Sequence, residues 1–263
     1  MRVVGANSAP CGNCPTCRKQ QPNLCEDLLF VNGAYAEYLR IPARIVEKNL
    51  LEFPDKLPFE AAALTEPLAC VLRGIQAVKP VRGETVSVLG AGPVGLMFVQ
   101  LAKKTGAKVL VTGKGKLRLE MASGCGADQI FDLNKEPDPT EAIRAATPEG
   151  KGPDLVIEAV GRPQAWSQAI SLVRPGGRVL LFGGCPSGTT VPLDTRRMHY
   201  EELTLISTFH HTPDAIRESL GLLASGEVQA DRLINRQARL EELPAILKGM
   251  LTQQDVVKTA ILP

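Results

Sequence analysis

Between residues 80 and 210 the apolar positions alternate between two rhythms. Short apolar runs at 85–90, 108–112, 129–133, 154–160, 178–183 and 203–209 are bounded by glycine, proline or polar turns, as expected of strands buried on both faces. After the first run, Val94, Met97, Phe98, Leu101 and Ala102 recur at helical spacing, and further helices are predicted near 117–124, 139–147 and 163–173. Strand and helix in alternation fold as a largely parallel, doubly wound sheet with helices on both faces, so the predicted class is α/β.

The flanks read differently. Residues 1–28 are interrupted by Pro10, Gly12, Pro15 and Pro22 and are predicted as loop. Residues 29–48 suggest short strands around the turn Asn32-Gly33, with 34–41 extended. A helix is expected from Pro58, its apolar side supplied by Ala61, Ala62, Leu64, Leu68 and Val71. Thr212 is placed to cap a helix over 214–224, and 256–262 is strand-like.

A net charge of +2 argues against a nucleic acid or an anionic membrane as partner. No apolar run approaches the roughly 20 residues of a membrane span, and residues 1–7 lack the apolar core of a signal peptide. The expected location is cytoplasmic. There, the clustering of four of the seven cysteines at Cys11, Cys14, Cys17 and Cys25 points to metal rather than disulfides.

Two motifs carry chemistry. Gly90-Ala91-Gly92-Pro93-Val94-Gly95 is a G-x-G-x-x-G that closes an apolar strand and opens an amphipathic helix, the context in which such a turn binds a dinucleotide pyrophosphate. Gly90 serves the tight turn, Gly92 the approach of backbone to phosphate, and Gly95 the packing of helix on strand; the helix start offers free N–H groups to the anion. An NAD site carries an acid about 20 residues on. Here that stretch reads Val111-Thr112-Gly113-Lys114-Gly115-Lys116-Leu117-Arg118, with no carboxylate. Gly113 is read as leaving room for a 2′-phosphate, and Lys114, Lys116 and Arg118 as meeting it, so NADP(H) is expected to bind more tightly than NAD(H). The second motif, C-x2-C-x2-C-x7-C, supplies four thiolates, which close a tetrahedral and therefore structural zinc site.

These motifs occur in a set order: the cysteine cluster, Gly33-Ala34-Tyr35-Ala36-Glu37-Tyr38, Glu66-Pro67-Leu68-Ala69, then 90–95. In this the chain resembles the zinc-dependent medium-chain dehydrogenases, the superfamily of alcohol, sorbitol and threonine dehydrogenases. The resemblance implies a GroES-like catalytic domain (1–65, completed by 210–263) interrupted by a Rossmann domain (66–209). It implies oxidation of a polyol or a primary or secondary alcohol, with hydride passing to NAD(P) across the cleft between the domains and a catalytic zinc polarising the alcohol oxygen. Glu66 stands where sorbitol- and threonine-type members place a glutamate as last protein group of that zinc site. Val160, Gly183, Ser207 and Phe209, near strand ends, are expected to line the nicotinamide half of the site. Relatives are commonly dimers or tetramers, joined partly by Rossmann edge strands, and the 176–209 region is the candidate for that contact.

The family's other catalytic ligands, a cysteine and a Gly-His-Glu motif, lie upstream of the cysteine lobe in its members, and no cysteine or histidine precedes Cys11 here. The expectation is that Met1 is an internal methionine, and that this chain binds a nucleotide and one zinc but turns over poorly. His210-His211 is read as the approach to a helix and not as a ligand pair, because neighbours on an extended segment face opposite ways. Rival readings are a non-catalytic nucleotide-binding remnant and a zinc-independent quinone reductase, the latter disfavoured by the cysteine lobe and Glu66.

Overall fold

The computed structural model describes residues 1–250 and 256–263. The chain divides into two compact units, residues 74–208 and residues 1–73 with 209–263.

In the 74–208 unit, six strands form one parallel sheet: β1 (Thr85–Leu89), β2 (Lys108–Gly113), β3 (Gln129–Asp132), β4 (Leu155–Glu158), β5 (Arg178–Leu181) and β6 (Thr204–Ser207). Their order across the sheet is β6-β5-β4-β1-β2-β3, the doubly wound Rossmann arrangement whose direction reverses between β1 and β4. Register follows from the apolar runs: Val86 lies opposite Val109 on one side and Leu155 on the other. Every residue of β1 and β4 is buried, because helices cover both faces of the sheet. On the helix Pro93–Lys104, Leu96, Met97, Phe98 and Val99 are fully buried; each such side chain contributes about 1.5–3 kcal/mol. Phe98 packs edge-on against Phe182 at 4.9 Å between centroids. Its ring also fills the space beside Gly74, where a Cβ would stand 2.9 Å from Phe98 Cζ. The helices Lys116–Gly124, Thr140–Ala145 and Pro163–Leu172 lie where the helical rhythm recurs. A further helix, Thr195–Tyr200, lies within the 176–209 region between β5 and β6; Asp194 caps it by accepting from the Arg196 and Arg197 amides.

The other unit is built from shorter pieces. Val3–Gly5 pairs antiparallel with Leu50–Glu52, Ser8–Ala9 with Leu29–Phe30, and Arg236–Arg239 runs parallel to Thr259–Leu262. The predicted extension over 34–41 forms no ladder among the described residues, and Tyr35 and Tyr38 are exposed. A strand persists only where a partner satisfies its backbone, and pairing stops after Val31, whose amide donates to the Asn7 carbonyl at 2.8 Å. The strand pattern over 29–48 also hid a helix, Ala43–Asn49, which begins directly after Pro42 and buries Ile45 and Asn49. The helix expected from Pro58 breaks after one turn into Phe59–Ala62 and Thr65–Val78, with Leu64 and Leu68 fully buried. The boundary between the units falls inside Thr65–Val78. Thr212 caps Pro213–Ala224 as anticipated, accepting from the Ala215 amide at 3.2 Å. Among the described residues no helix is long and apolar enough to cross a membrane.

Candidate functional site

The carboxyl ends of β1, β2 and β4 open on a cavity of about 890 Å³, at the switch point where open α/β sheets bind ligands. Its wall includes Gly90, Ala91 and Gly92 from the first turn, Gly113, Lys114 and Arg118 after β2, and Val160 and Arg162 after β4. Gly90 adopts φ +113°, open to glycine alone without strain. Gly92 has open space where a Cβ would be and lines the cavity, and no side chain caps the helix that follows it. At Gly95 a Cβ would collide with the Gly90 carbonyl oxygen, so glycine here is what lets the helix Pro93–Lys104 approach the turn. Pro93 and Val94 form the first turn of that helix.

Gly113 has a different use from the one expected. Its missing side chain does not leave room for ligand: a Cβ there would stand 2.5 Å from Ala91 Cβ and 3.2 Å from Leu119 Cδ2, so the space is occupied by the glycine-rich turn itself. Lys114 and Arg118 remain on the cavity wall, giving it positive charge together with Arg162. Asp138, also on the wall, is engaged by the Thr140 amide and hydroxyl, which hold its carboxyl below the usual range. Lys116 lines a separate hollow with Ser123 and Asp132, and its Nζ lies 3.8 Å from Glu120.

Val160 is half-exposed on the cavity wall, whereas Gly183 is not part of that wall and packs beside Gly161, its amide donating to the Glu158 carbonyl at 3.1 Å. The two are tied together by Glu158, a fully buried carboxylate at the end of β4 that the sequence reading passed over as part of a strand. Its Oε1 accepts from the Val160 and Gly161 amides at 2.7 and 2.8 Å, and Trp166 Nε1 donates to the Gly183 carbonyl at 2.8 Å. Burial raises the Glu158 carboxyl above its ordinary value, against the pull of these amides. An acid closing an otherwise apolar strand was the signal available for it. Ser207 ends β6, and Phe209 is exposed; neither lines the cavity.

In the other unit, the sulfurs of Cys11, Cys14, Cys17 and Cys25 all lie within 4.8 Å of one another. The Cys14–Cys25 separation is 3.9 Å. A tetrahedral ZnS4 site with bonds of about 2.3 Å sets sulfurs about 3.8 Å apart, so the four thiols fit zinc. Backbone amides of Cys11 and Asn13 already donate to Cys25 and Cys11 sulfurs. Without an ion the thiols titrate unevenly: the Thr16 hydroxyl and the Cys17 amide draw Cys14 down to about 5, while burial pushes Cys17 up to about 12.

Glu66 occupies the first turn of Thr65–Val78, half-buried, and accepts from the Cys70 thiol one turn on at 3.6 Å. Burial raises its carboxyl, opposed by Cys70 and by Lys258. The structure adds two groups that the sequence reading had set aside. His210 has φ +63°, which breaks the alternation of an extended segment and brings the two imidazoles together, with ring centroids 4.0 Å apart. One donor atom from each of Glu66, His210 and His211 falls in a group within 4.8 Å. The histidines therefore share a face, contrary to the expectation. Burial, reinforced by His210 and Arg73, lowers His211 to about 3, so its ring is neutral at pH 7.

Comparison with known proteins places this geometry among relatives. Residues 93–225 match the sequence profile of the zinc-binding dehydrogenases, and residues 1–54 that of the alcohol dehydrogenase GroES-like domain. The chain is 32% identical over 269 residues to a sorbitol dehydrogenase of Bacillus subtilis (strain 168), covering 100% of this chain and 74% of the relative. It is 30% identical to D-arabinitol dehydrogenase 1 of Uromyces fabae, covering 100% and 75%. A structure described as a zinc-binding dehydrogenase of Sinorhizobium meliloti 1021 bound to NADP superposes with a TM-score of 0.90 at 31% identity, covering 99% of this chain and 76% of that one.

Proposed function

The chain belongs to the zinc-binding dehydrogenase family, and on that premise we propose that it is a zinc-dependent oxidoreductase that prefers NADP(H) and acts on a polyol or secondary alcohol. The observation that carries the nucleotide preference is the cavity at the Gly90–Gly95 turn. Lys114 and Arg118 stand on its wall after β2, and β2 ends without the acid that would accept from a ribose 2′-hydroxyl. The NADP bound by the Sinorhizobium relative supports the same preference. Sorbitol and arabinitol, in the names of the two curated relatives, support a polyol as substrate class.

When bound, zinc supplies Lewis-acid polarisation of the alcohol oxygen and the nicotinamide accepts the hydride. The chain's own residues have the following parts. The amides at the start of Pro93–Lys104 receive the pyrophosphate, and Gly92 keeps the approach clear. Lys114 and Arg118 meet the 2′-phosphate as charge-assisted donors. Glu158 fixes the backbone of Val160 and Gly161 on the cavity wall. Cys11, Cys14, Cys17 and Cys25 hold the structural ion, and Glu66 contributes a carboxylate to the catalytic one. The test is a fluorescence titration of the chain with NADPH and NADH, followed by NADP+ reduction with a panel of polyols and secondary alcohols. Tighter NADPH binding is expected, with turnover that is poor but confined to polyols and secondary alcohols; tighter NADH binding, or reduction driven equally by alcohols outside those classes, would overturn the corresponding half of the reading.

A further inference from the structure

Among the described residues Glu158 is the one carboxylate fully buried from solvent. Its Oε1 serves the Val160 and Gly161 amides, but Oε2 has no hydrogen-bond partner, and a Cβ on Gly183 would stand 2.8 Å from it. A carboxylate oxygen that accepts from two amides is favoured in its ionised form. The groups around the carboxyl are the amides of Val160, Gly161 and Gly183 and the Trp166 indole, none of them a cation. A buried anion without a counter-ion is costly, yet it closes a strand whose other residues, Leu155, Val156 and Ile157, are all apolar. The backbone it holds bears directly on the cavity. The Ala159 amide donates to the Leu89 carbonyl at 2.9 Å. A Cβ on Gly90 would lie 3.1 Å from Val160 Cγ2 and 3.2 Å from the Ala159 carbonyl oxygen, so this segment abuts the start of the Gly90–Gly95 turn.

A dinucleotide bound at that turn places its two halves on opposite sides of it. Lys114 and Arg118, after β2, stand on the side of the 2′-phosphate; the order β5-β4-β1-β2 leaves the ends of β4 and β5 for the nicotinamide half. The oxidised nicotinamide ring carries a positive charge that the reduced ring lacks. We propose that the buried Glu158 carboxylate discriminates between the redox states of the cofactor, favouring the oxidised, positively charged nicotinamide over the reduced, neutral one. The counter-ion that the fold withholds from Glu158 is then supplied by the ligand in one of its two states. The inference rests on the dinucleotide reading of the cavity, and it concerns binding, not turnover.

The experiment is calorimetric titration of the full chain with NADP+ and with NADPH, in wild type and in Glu158→Gln. The other charged groups on the cavity wall, Lys114, Arg118, Arg162 and Asp138, meet both forms alike, as does the 2′-phosphate of the ligand. All of these cancel from the ratio of the two dissociation constants. In Glu158→Gln, NADP+ should weaken about tenfold relative to NADPH, the scale of one unit charge acting through a protein interior. A role confined to holding the backbone would weaken both forms equally, and that result overturns the proposal. In wild type the ratio should shift toward NADPH as pH falls and the carboxyl, raised by burial, takes up its proton. The nearby Cys185 thiol, held above its ordinary value by burial and then by Glu158, stays neutral throughout. Should the variant fail to fold, the wild-type pH profile decides, and a flat ratio overturns the proposal. NAD+ and NADH are titrated alongside. Tighter binding of NADH than of NADPH refutes the nucleotide preference, while a ratio of NAD+ to NADH that still depends on Glu158 leaves this inference standing; if neither pair binds, both fall.

Discussion

Replacing Gly113 by alanine probes the nucleotide turn from its far side. The backbone at Gly113 lies outside the left-handed region, so a side chain there is not strained by itself. The difficulty is space: the new Cβ would stand 2.5 Å from Ala91 Cβ, against about 3.5–4.0 Å for relaxed carbon contact. Ala91 is buried between two glycines of the phosphate turn, so roughly 1 Å of relief must come from moving that turn. Overpacking of this kind costs about 1–3 kcal/mol. At about 2 kcal/mol the transition that NADPH protects should fall by roughly 4–8 °C. NADPH affinity should weaken at least about tenfold as the amides lose their aim. The control is Ala91→Gly combined with Gly113→Ala. It removes the severe contact and leaves only Leu119 Cδ2 at 3.2 Å and the Ala91 amide nitrogen at 3.3 Å. The double variant should be less damaged than the sum of the two single changes by about 1 kcal/mol or more. Differential scanning fluorimetry and calorimetric titration read both quantities. A Gly113→Ala protein with wild-type melting and wild-type NADPH affinity, or strict additivity in the cycle, would refute the reasoning.

Three further outcomes are expected. Arg118→Ala should weaken NADPH by about tenfold or more, since a charge-assisted hydrogen bond is worth about 1.5–3 kcal/mol, while NADH stays within about twofold; equal loss for both cofactors would show that Arg118 does not address the 2′-phosphate. Cys17→Ser should release the structural ion and make residues 1–28 sensitive to limited proteolysis, because metal binding in such a loop is folding free energy; unchanged zinc content and protection would count against the lobe. Glu158 has a folded-state value raised by burial, so its contribution to stability is fully present below the ordinary glutamate range and is lost as pH rises through the raised value. Glu158→Gln should flatten that decline in melting temperature between mildly acidic and neutral pH, and an unchanged pH profile would exclude it as the source.

The sheet was legible because its strands are buried on both faces, which leaves apolar runs that no surface requirement interrupts, and because the helices between them keep one apolar side. The turn after β1 was legible for a related reason: Gly90 answers a demand of backbone angle and Gly95 one of helix-to-turn packing. The unit of residues 1–73 and 209–263 gave less away. Its strands are two to four residues long, too short for period to separate them from loop, and 34–41 has the composition of a strand without a partner among the described residues. At Gly113 a glycine was correctly placed near the cavity but for the wrong physical cause, since periodicity does not show that Ala91 fills its space. The histidine pair was misread because alternation assumes extended backbone, and one residue at φ +63° reverses the inference. Glu158 was hidden by the apolar run it terminates.

The discontinuity of the unit formed by residues 1–73 and 209–263 sets an order on synthesis. Ser8 meets His210 across 202 residues of sequence, and Ser219 Oγ reaches the Thr65 carbonyl across 154. On the ribosome the 74–208 sheet is complete before any residue beyond 208 emerges, and the remaining 55 residues (263 − 208) follow over roughly 3–11 s. Through that interval residues 1–73 have no partner strand or helix from 209–263. Closing so long a loop carries a large entropic cost, which a sheet already folded within the loop reduces. Nascent chains stalled far enough beyond 208 for that residue to have emerged should therefore bind nucleotide while residues 1–73 remain clients for chaperones, and destabilising the inserted sheet should delay the outer unit more than the reverse.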